Sequence, residues 1–405
     1  MIPFSPPRID QKIIDEVTAA LKSGWITTGP RTKRFEKNLS AYTGAQATLC
    51  LNSATAGLEI MLRWFGVGPG DEVILPAYTY AATANVIVHC GAKPVFVDVN
   101  ADDFNISLAA IEAAVTPRTK AVMPVDLGGW PCDYDSINQL VRDKAHLFQP
   151  ATDEQRTLGR MLVVADAAHS IGARYKGRRT GCLTDSTVFS FHAVKNLTTA
   201  EGGAVSLNLP EPFSNEDVYK VLCVKTLHGQ NKDALAKTQK GNWKYDIVEA
   251  GYKCNMTDIV AAIGLIELER YDSDTLVRRR AIVDAYSEAL SQHAWAEVPI
   301  HDRDGRTSSF HLYPLRIRGI DEGQRDDIIQ RIFDCDVSVN VHYIPVPCMS
   351  FYRGLGYDIA DYPVTYDNFA REISLPVFYD LTDEQVQTVI SAVVESVAAV
   401  VGKKG

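Results

Sequence analysis

From Thr48 to Asn208 the chain alternates short apolar, β-branched runs with helix-like segments, and few folds accommodate that rhythm. The runs "EVILPAY", "KPVFVDV", "KAVMPVDL", "MLVVADAA", "STVFSFH" and "GGAVSLN" read as strands, and "AGLEIMLRWFG" and "SLAAIEAAV" between them as helices. Parallel neighbours need crossover connections, so the alternation predicts a mostly parallel sheet with helices on both faces. At 405 residues the chain exceeds one domain of roughly 100–200 residues. The large α/β domain is therefore expected over 12–265. A small α+β domain is expected over 266–405, with segment 1–11 packing near it.

The rest of the pattern supports that division. Thr257 is placed to start a long helical stretch, "NMTDIVAAIGLIELERYDSDTLVRRRAIVDAYSEAL", read as the bridge between the domains. Beyond it lie "HLYPLRI", "VSVNVHYIPV" and a closing helix near "TDEQVQTVISAVVESV". The polar segment 149–160, "QPATDEQRTLGR", is expected as an exposed inserted loop. "GVGPGDEV" carries three glycines but precedes a strand, so it reads as a helix-ending turn and not a dinucleotide fingerprint.

Composition removes several classes of function. With 41 basic and 50 acidic residues the net charge is −9, and no basic run could track phosphates, so nucleic acid is not the expected partner. "MIPFSPPRIDQKIIDEV" does not read as a secretory signal, and no run reaches the roughly 18 uninterrupted apolar residues of a membrane span. A soluble, cytoplasmic protein without a membrane partner is expected. The eight cysteines are scattered without a C-x-x-C pair, which predicts neither a metal site nor a disulfide framework.

Asp166 closes "MLVVAD" and Lys195 follows "STVFSFH", so both are expected at the carboxyl ends of strands, where open α/β sheets bind ligands. Taken singly, the aspartate could cap a turn and the lysine could be solvated. "LNSATAGLEIML" adds a helix opening on small residues, whose unpaired amides and positive dipole end suit a phosphate, although an ordinary N-cap would look the same. An amine, a carboxylate and a phosphate cradle together suit pyridoxal 5′-phosphate, which needs a lysine, an acid at its ring nitrogen and a helix start. Tyr80, in "PAYTYAATAN", could lie against the ring or belong to the core.

The segments "GWITTGP", "NSATAGLEIML", "ILPAYTYAATANVI", "PVFVDV", "VVADAAHSIGA", "FSFHAVKNLTTAEGGAV", "GYKCNMTDIVAAIGLIELE", "VHYIPV" and "ISLPVF" run in an order that resembles the DegT/StrS-type sugar aminotransferases. These are fold-type-I pyridoxal-phosphate enzymes, and the resemblance covers nearly the whole chain. It implies a seven-stranded-type sheet and a set of roles. Lys195 matches the lysine that carries the cofactor and moves the substrate proton, and Asp166 the partner of the ring nitrogen. His169 matches the position near the ring oxygen, Tyr80 the residue stacked on the ring, and Ala54, Thr55 and Ser190 the phosphate contacts. Lys253 matches a residue that reaches the phosphate of the neighbouring subunit in a homodimer. Thr28 and Gly29 match a loop at the site mouth, and His342 and Tyr343 a small-domain loop at the substrate.

The resemblance further implies transfer of an amino group from L-glutamate to a nucleotide-linked keto deoxysugar, within amino-sugar biosynthesis for lipopolysaccharide and other surface glycans or for glycosylated metabolites. The alternatives are a transaminase acting on a free cyclitol or antibiotic precursor, and a weakly catalytic cofactor-binding regulator. The chain departs from the family at Asp126, Gly128, Gly129 and Trp130, in a loop expected near the site mouth, and has Asn255 where an arginine is frequent.

Overall fold

The computed structural model describes residues 1–231 and 244–402. Seven strands form the main sheet: β1 (Ala47–Leu51), β2 (Glu72–Pro76), β3 (Lys93–Val97), β4 (Thr119–Val122), β5 (Leu162–Asp166), β6 (Ser186–Ser190) and β7 (Gly203–Leu207). Their order across the sheet is β1-β7-β6-β5-β4-β2-β3. The pairs β2/β3, β2/β4, β4/β5 and β5/β6 are parallel, and β7 runs antiparallel to both its neighbours, β1 and β6. All but β3 are buried along their whole length, which is why the sequence shows continuous apolar runs.

Helices cover both faces. One core packs Leu58, Met61 and Phe65 over Leu75, Val164 and Val188; another packs Ile111, Ile137 and Val141 over Ile74, Val122 and Val163. The helix Asp258–Arg270 leads through the single π-helical turn Tyr271–Thr275 into Leu276–Leu290. The latter helix joins a separate core with Glu322–Asp334, Asp383–Val401 and the three-stranded sheet Ala296–Glu297, Tyr313–Ile317 and Glu372–Leu375. Ile2 belongs to this core and bridges to Val337. Asp383–Val401 is long and apolar enough by composition to cross a membrane, yet Val386, Val389, Val393 and Val397 bury one stripe of it against this core.

Two local expectations need correction. Segment 149–160 is not a free loop. Thr152 caps a short helix, Asp153–Leu158, and Gln155, fully buried, donates at 2.9 Å to the carbonyl of Phe65. The orphan carbonyl at the end of the helix Ala54–Trp64 thus finds its partner, which the polar composition of the segment did not reveal. The loop Asp126–Trp130 is likewise not at the mouth, because all five residues are buried. The Asp126 carboxylate accepts from Ser170 Oγ at 2.6 Å, Tyr134 Oη at 2.6 Å and the Cys132 amide at 2.8 Å.

Candidate active site

The carboxyl ends of β1, β2, β4, β5 and β6 and the start of antiparallel β7 meet at one edge of the sheet. A cavity of about 340 Å³ opens there, lined by Ala54, Thr55, Tyr80, Asp166, His169, Ser190, Lys195, His342 and Tyr343 among others. Of the residues singled out in the sequence, these nine converge. Thr28, Gly29 and Lys253 do not line it. They lie near one another elsewhere: Asn255 donates to Thr28 Oγ1 at 2.5 Å and accepts from Lys253 Nζ, and the Gly29 amide donates to Asp258 Oδ1.

Lys195 sits on a turn closed by its amide on the carbonyl of His192 at 2.9 Å. Its neighbour Asn196 anchors that turn to the small domain, donating to the carbonyl of Ser309 at 2.7 Å and meeting His311 Nδ1 at 2.8 Å. Burial pushes the Lys195 amine down to about 8, against a weaker opposing pull from Asp166. An ammonium loses hydration here that one carboxylate does not replace. The result is an amine with a substantial neutral fraction near neutrality, which is the form that attacks carbonyls.

Asp166 is held at both oxygens. Thr83 Oγ1 donates to Oδ2 at 2.7 Å, and the amide of Ala168 donates to Oδ1 at 3.2 Å. Burial raises its pKa, while those two donors and Lys195 act in the opposite sense. Thr83, which meets Thr79 at 2.9 Å, went unnoticed in the sequence. Its signal was the i,i+4 threonine pair opening a small-residue helix after β2.

His169 has a defined tautomer. The Gly128 amide donates to Nδ1 at 3.2 Å, so the proton resides on Nε2, 2.9 Å from Tyr343 Oη. Burial, then Lys195 and His342, hold the ring neutral. The departing loop therefore acts from behind the site, by orienting His169. Tyr80 is largely exposed and lies 5.5 Å from the ring of Tyr343, so it forms an open wall of the cavity and not part of the core.

Pyridoxal phosphate fits the donor set. Ser53 Oγ caps the amide of Ala56 at 3.1 Å, which leaves the amides of Ala54 and Thr55, without partners among the described residues, as the donors of the helix start beside Ser190. β7 passes against that start so closely that a Cβ on Gly203 would lie 2.4 Å from the nitrogen of Ala54. The second glycine of the pair after Lys195 thus lets the strand close on the helix start. His192 and Glu201 stand at the cavity rim, Nε2 to Oε1 at 3.6 Å, and were not anticipated. Among the described residues no cluster could hold a metal ion.

Comparison with known proteins agrees with this architecture. Residues 7–394 match the model of the DegT/DnrJ/EryC1/StrS aminotransferase family. The spore coat polysaccharide biosynthesis protein SpsC of Bacillus subtilis is 38% identical over 396 residues, 97% of this chain and 96% of SpsC. Spr1654 of Streptococcus pneumoniae, described as a sugar aminotransferase, superposes in its PMP form with a TM-score of 0.96 at 46% identity, covering 99% of this chain and 100% of its own. Helicobacter pylori PseC, an aminotransferase of pseudoaminic acid biosynthesis, gives 0.86 at 26% identity, covering 98% and 99%.

Proposed function

The chain belongs to the DegT/DnrJ/EryC1/StrS aminotransferase family, and from that premise we propose that it moves an amino group from L-glutamate to the keto group of a nucleotide-linked deoxysugar. It is a sugar aminotransferase by family, and its cofactor is pyridoxal 5′-phosphate. The observation that carries the reading is the convergence of Lys195 and Asp166 on one cavity beside an open helix start.

When bound, pyridoxal phosphate supplies the electron sink that lets a Cα–H bond of an amine break. Asp166 would hold its ring nitrogen protonated, with Thr83 and Ala168 fixing the carboxylate. Ala54, Thr55 and Ser190 would hold the phosphate, Tyr80 the ring face, and His169 the region of the ring oxygen. Lys195 Nζ takes the proton from the substrate carbon and returns it, a task suited to an amine whose pKa lies near 8. His342 and Tyr343 contact the sugar. Lys253 reaches the site of the other subunit of a homodimer, with Thr28 and Gly29 in the loop at the site mouth. Both substrates use one site in turn, so the kinetics are ping-pong.

The likeness to SpsC, a spore coat polysaccharide biosynthesis protein, supports a product bound for a surface polysaccharide or glycan; the chain is read as acting in the cytoplasm. The experiment is a two-stage titration. L-glutamate should bleach the visible band of the lysine-bound cofactor and release 2-oxoglutarate. A panel of UDP-, dTDP- and GDP-linked keto sugars, beside free cyclitol ketones, should then restore it. Recovery with free cyclitols alone would refute the nucleotide-sugar reading, and colour that glutamate never bleaches would refute transamination.

A further inference from the structure

His342 is tied to two residues that the cavity does not expose. Ser374 Oγ lies 2.9 Å from His342 Nδ1 and 2.5 Å from Glu372 Oε1, while the amide of His342 donates to Glu372 Oε2 at 3.0 Å. Glu372 and Ser374 are fully buried, two positions apart on one strand, and so share a face. His342 lines the cavity with Lys195, and its Nε2 has no protein partner among the described residues.

The single proton of Ser374 makes this chain directional. With Glu372 ionised, Ser374 donates to the carboxylate and can only accept from His342, whose proton is then on Nδ1 and whose Nε2 is an acceptor. With Glu372 protonated, the acid donates to Ser374, Ser374 donates to Nδ1, and the histidine proton stands on Nε2.

We propose that His342, Ser374 and Glu372 form a proton wire that takes a proton from the cavity at His342 Nε2 and stores it on Glu372. An N–H bond forms at Nε2 while the one at Nδ1 breaks. The Nδ1 proton passes to Ser374 Oγ, and the serine proton passes to Glu372 Oε1. His342 changes from acceptor to donor and is neutral before and after, so no imidazolium is placed beside Lys195. In the ping-pong reading above, on which this use rests, one side chain can accept from a sugar hydroxyl and donate to a carbonyl or carboxylate oxygen. Glu372 and Ser374 act as positioning residues.

The electrostatics suit such a store. Burial lifts Glu372 to about 8, against Ser374, the His342 amide, Arg325 and Arg316; Tyr78 and Tyr343 also face it. His342 is pushed down to about 3 by burial and Lys195, with His169 and His311 behind it.

The test is ¹⁵N NMR of the histidine-labelled full-length holoenzyme, with His342 assigned by its loss in His342→Gln. It reads the wire without turnover, so its failure is separable from failure of the proposed reaction. The wild type should show the Nδ1–H tautomer at pH 9.5 and the Nε2–H tautomer at pH 6.5. Glu372→Gln, whose amide can donate to Ser374 while its oxygen accepts from His342, should show Nε2–H at both. Ser374→Ala should remove the pH dependence. One unchanging tautomer in the wild type, a doubly protonated His342 at pH 6.5, or a Glu372→Gln spectrum that follows the wild type would overturn the proposal.

Discussion

Lys195 illustrates what function costs a single residue. Its folded pKa, about 8, lies below the ordinary 10.5, so between those values the unfolded chain binds more protons than the folded one. Its contribution to stability therefore rises with pH across that window and is least favourable below about 8. In cofactor-free protein, Lys195→Met should raise stability by about 1–2 kcal/mol at pH 7, a figure discounted for the solvent in the open cavity. The gain should shrink towards pH 10.5, as denaturant unfolding at several pH values would reveal. The same substitution in holoenzyme should lower turnover by at least ~10³-fold, because covalent attachment and proton transfer are lost together. A variant that is no more stable at pH 7 than the wild type would mean that the amine is not desolvated.

At the scale of elements, the cradle depends on how closely β7 approaches the helix Ala54–Trp64. Gly203→Ala would place a methyl 2.4 Å from backbone atoms of Ser53 and Ala54, which cannot move without tilting the amides of the helix start. The expected outcome is a cofactor Kd raised by roughly 10-fold or more, about 1.4 kcal/mol. Gly68→Ala, where a Cβ meets nothing within 4 Å, should leave the Kd unchanged. Equal affinities in an equilibrium titration would remove the cradle from β7. Much of this was legible in the sequence, because buried parallel strands announce themselves as apolar runs and their carboxyl ends locate Asp166 and Lys195. What escaped had no local signal. β1, "ATLCL", holds a single β-branched residue and is defined by pairing with β7. Glu372 and Ser374 lie 30 and 32 residues from His342, so only the folded small domain brings them together. Asp126 and Gly128 looked like substrate-loop residues, yet their burial makes them supports for Ser170 and His169.

The whole molecule raises the question of why three candidate residues stand outside the cavity they were expected to serve. Lys253 is exposed, paired with Asn255 Oδ1 of its own chain, and flanked by the exposed apolar side chains Tyr245, Ile247, Val248 and Tyr252. A lysine in that position can complete an active site only if a second copy presents its cavity to it, and the exposed apolar surface gives such a copy something to bury. Subunit mixing turns this into a measurement. In the homodimer proposed above, the Lys195→Ala and Lys253→Ala variants should each be weakly active on their own. In a mixed dimer, the site built on the intact Lys195 receives the intact Lys253 of its partner, and the other site lacks both. Random exchange makes half the dimers mixed, so activity should recover to about a quarter of the wild-type value. No recovery after exchange, verified by mass, would mean that Lys253 serves its own chain or none, and Thr28 and Gly29 would then lose their place at the mouth of a shared site.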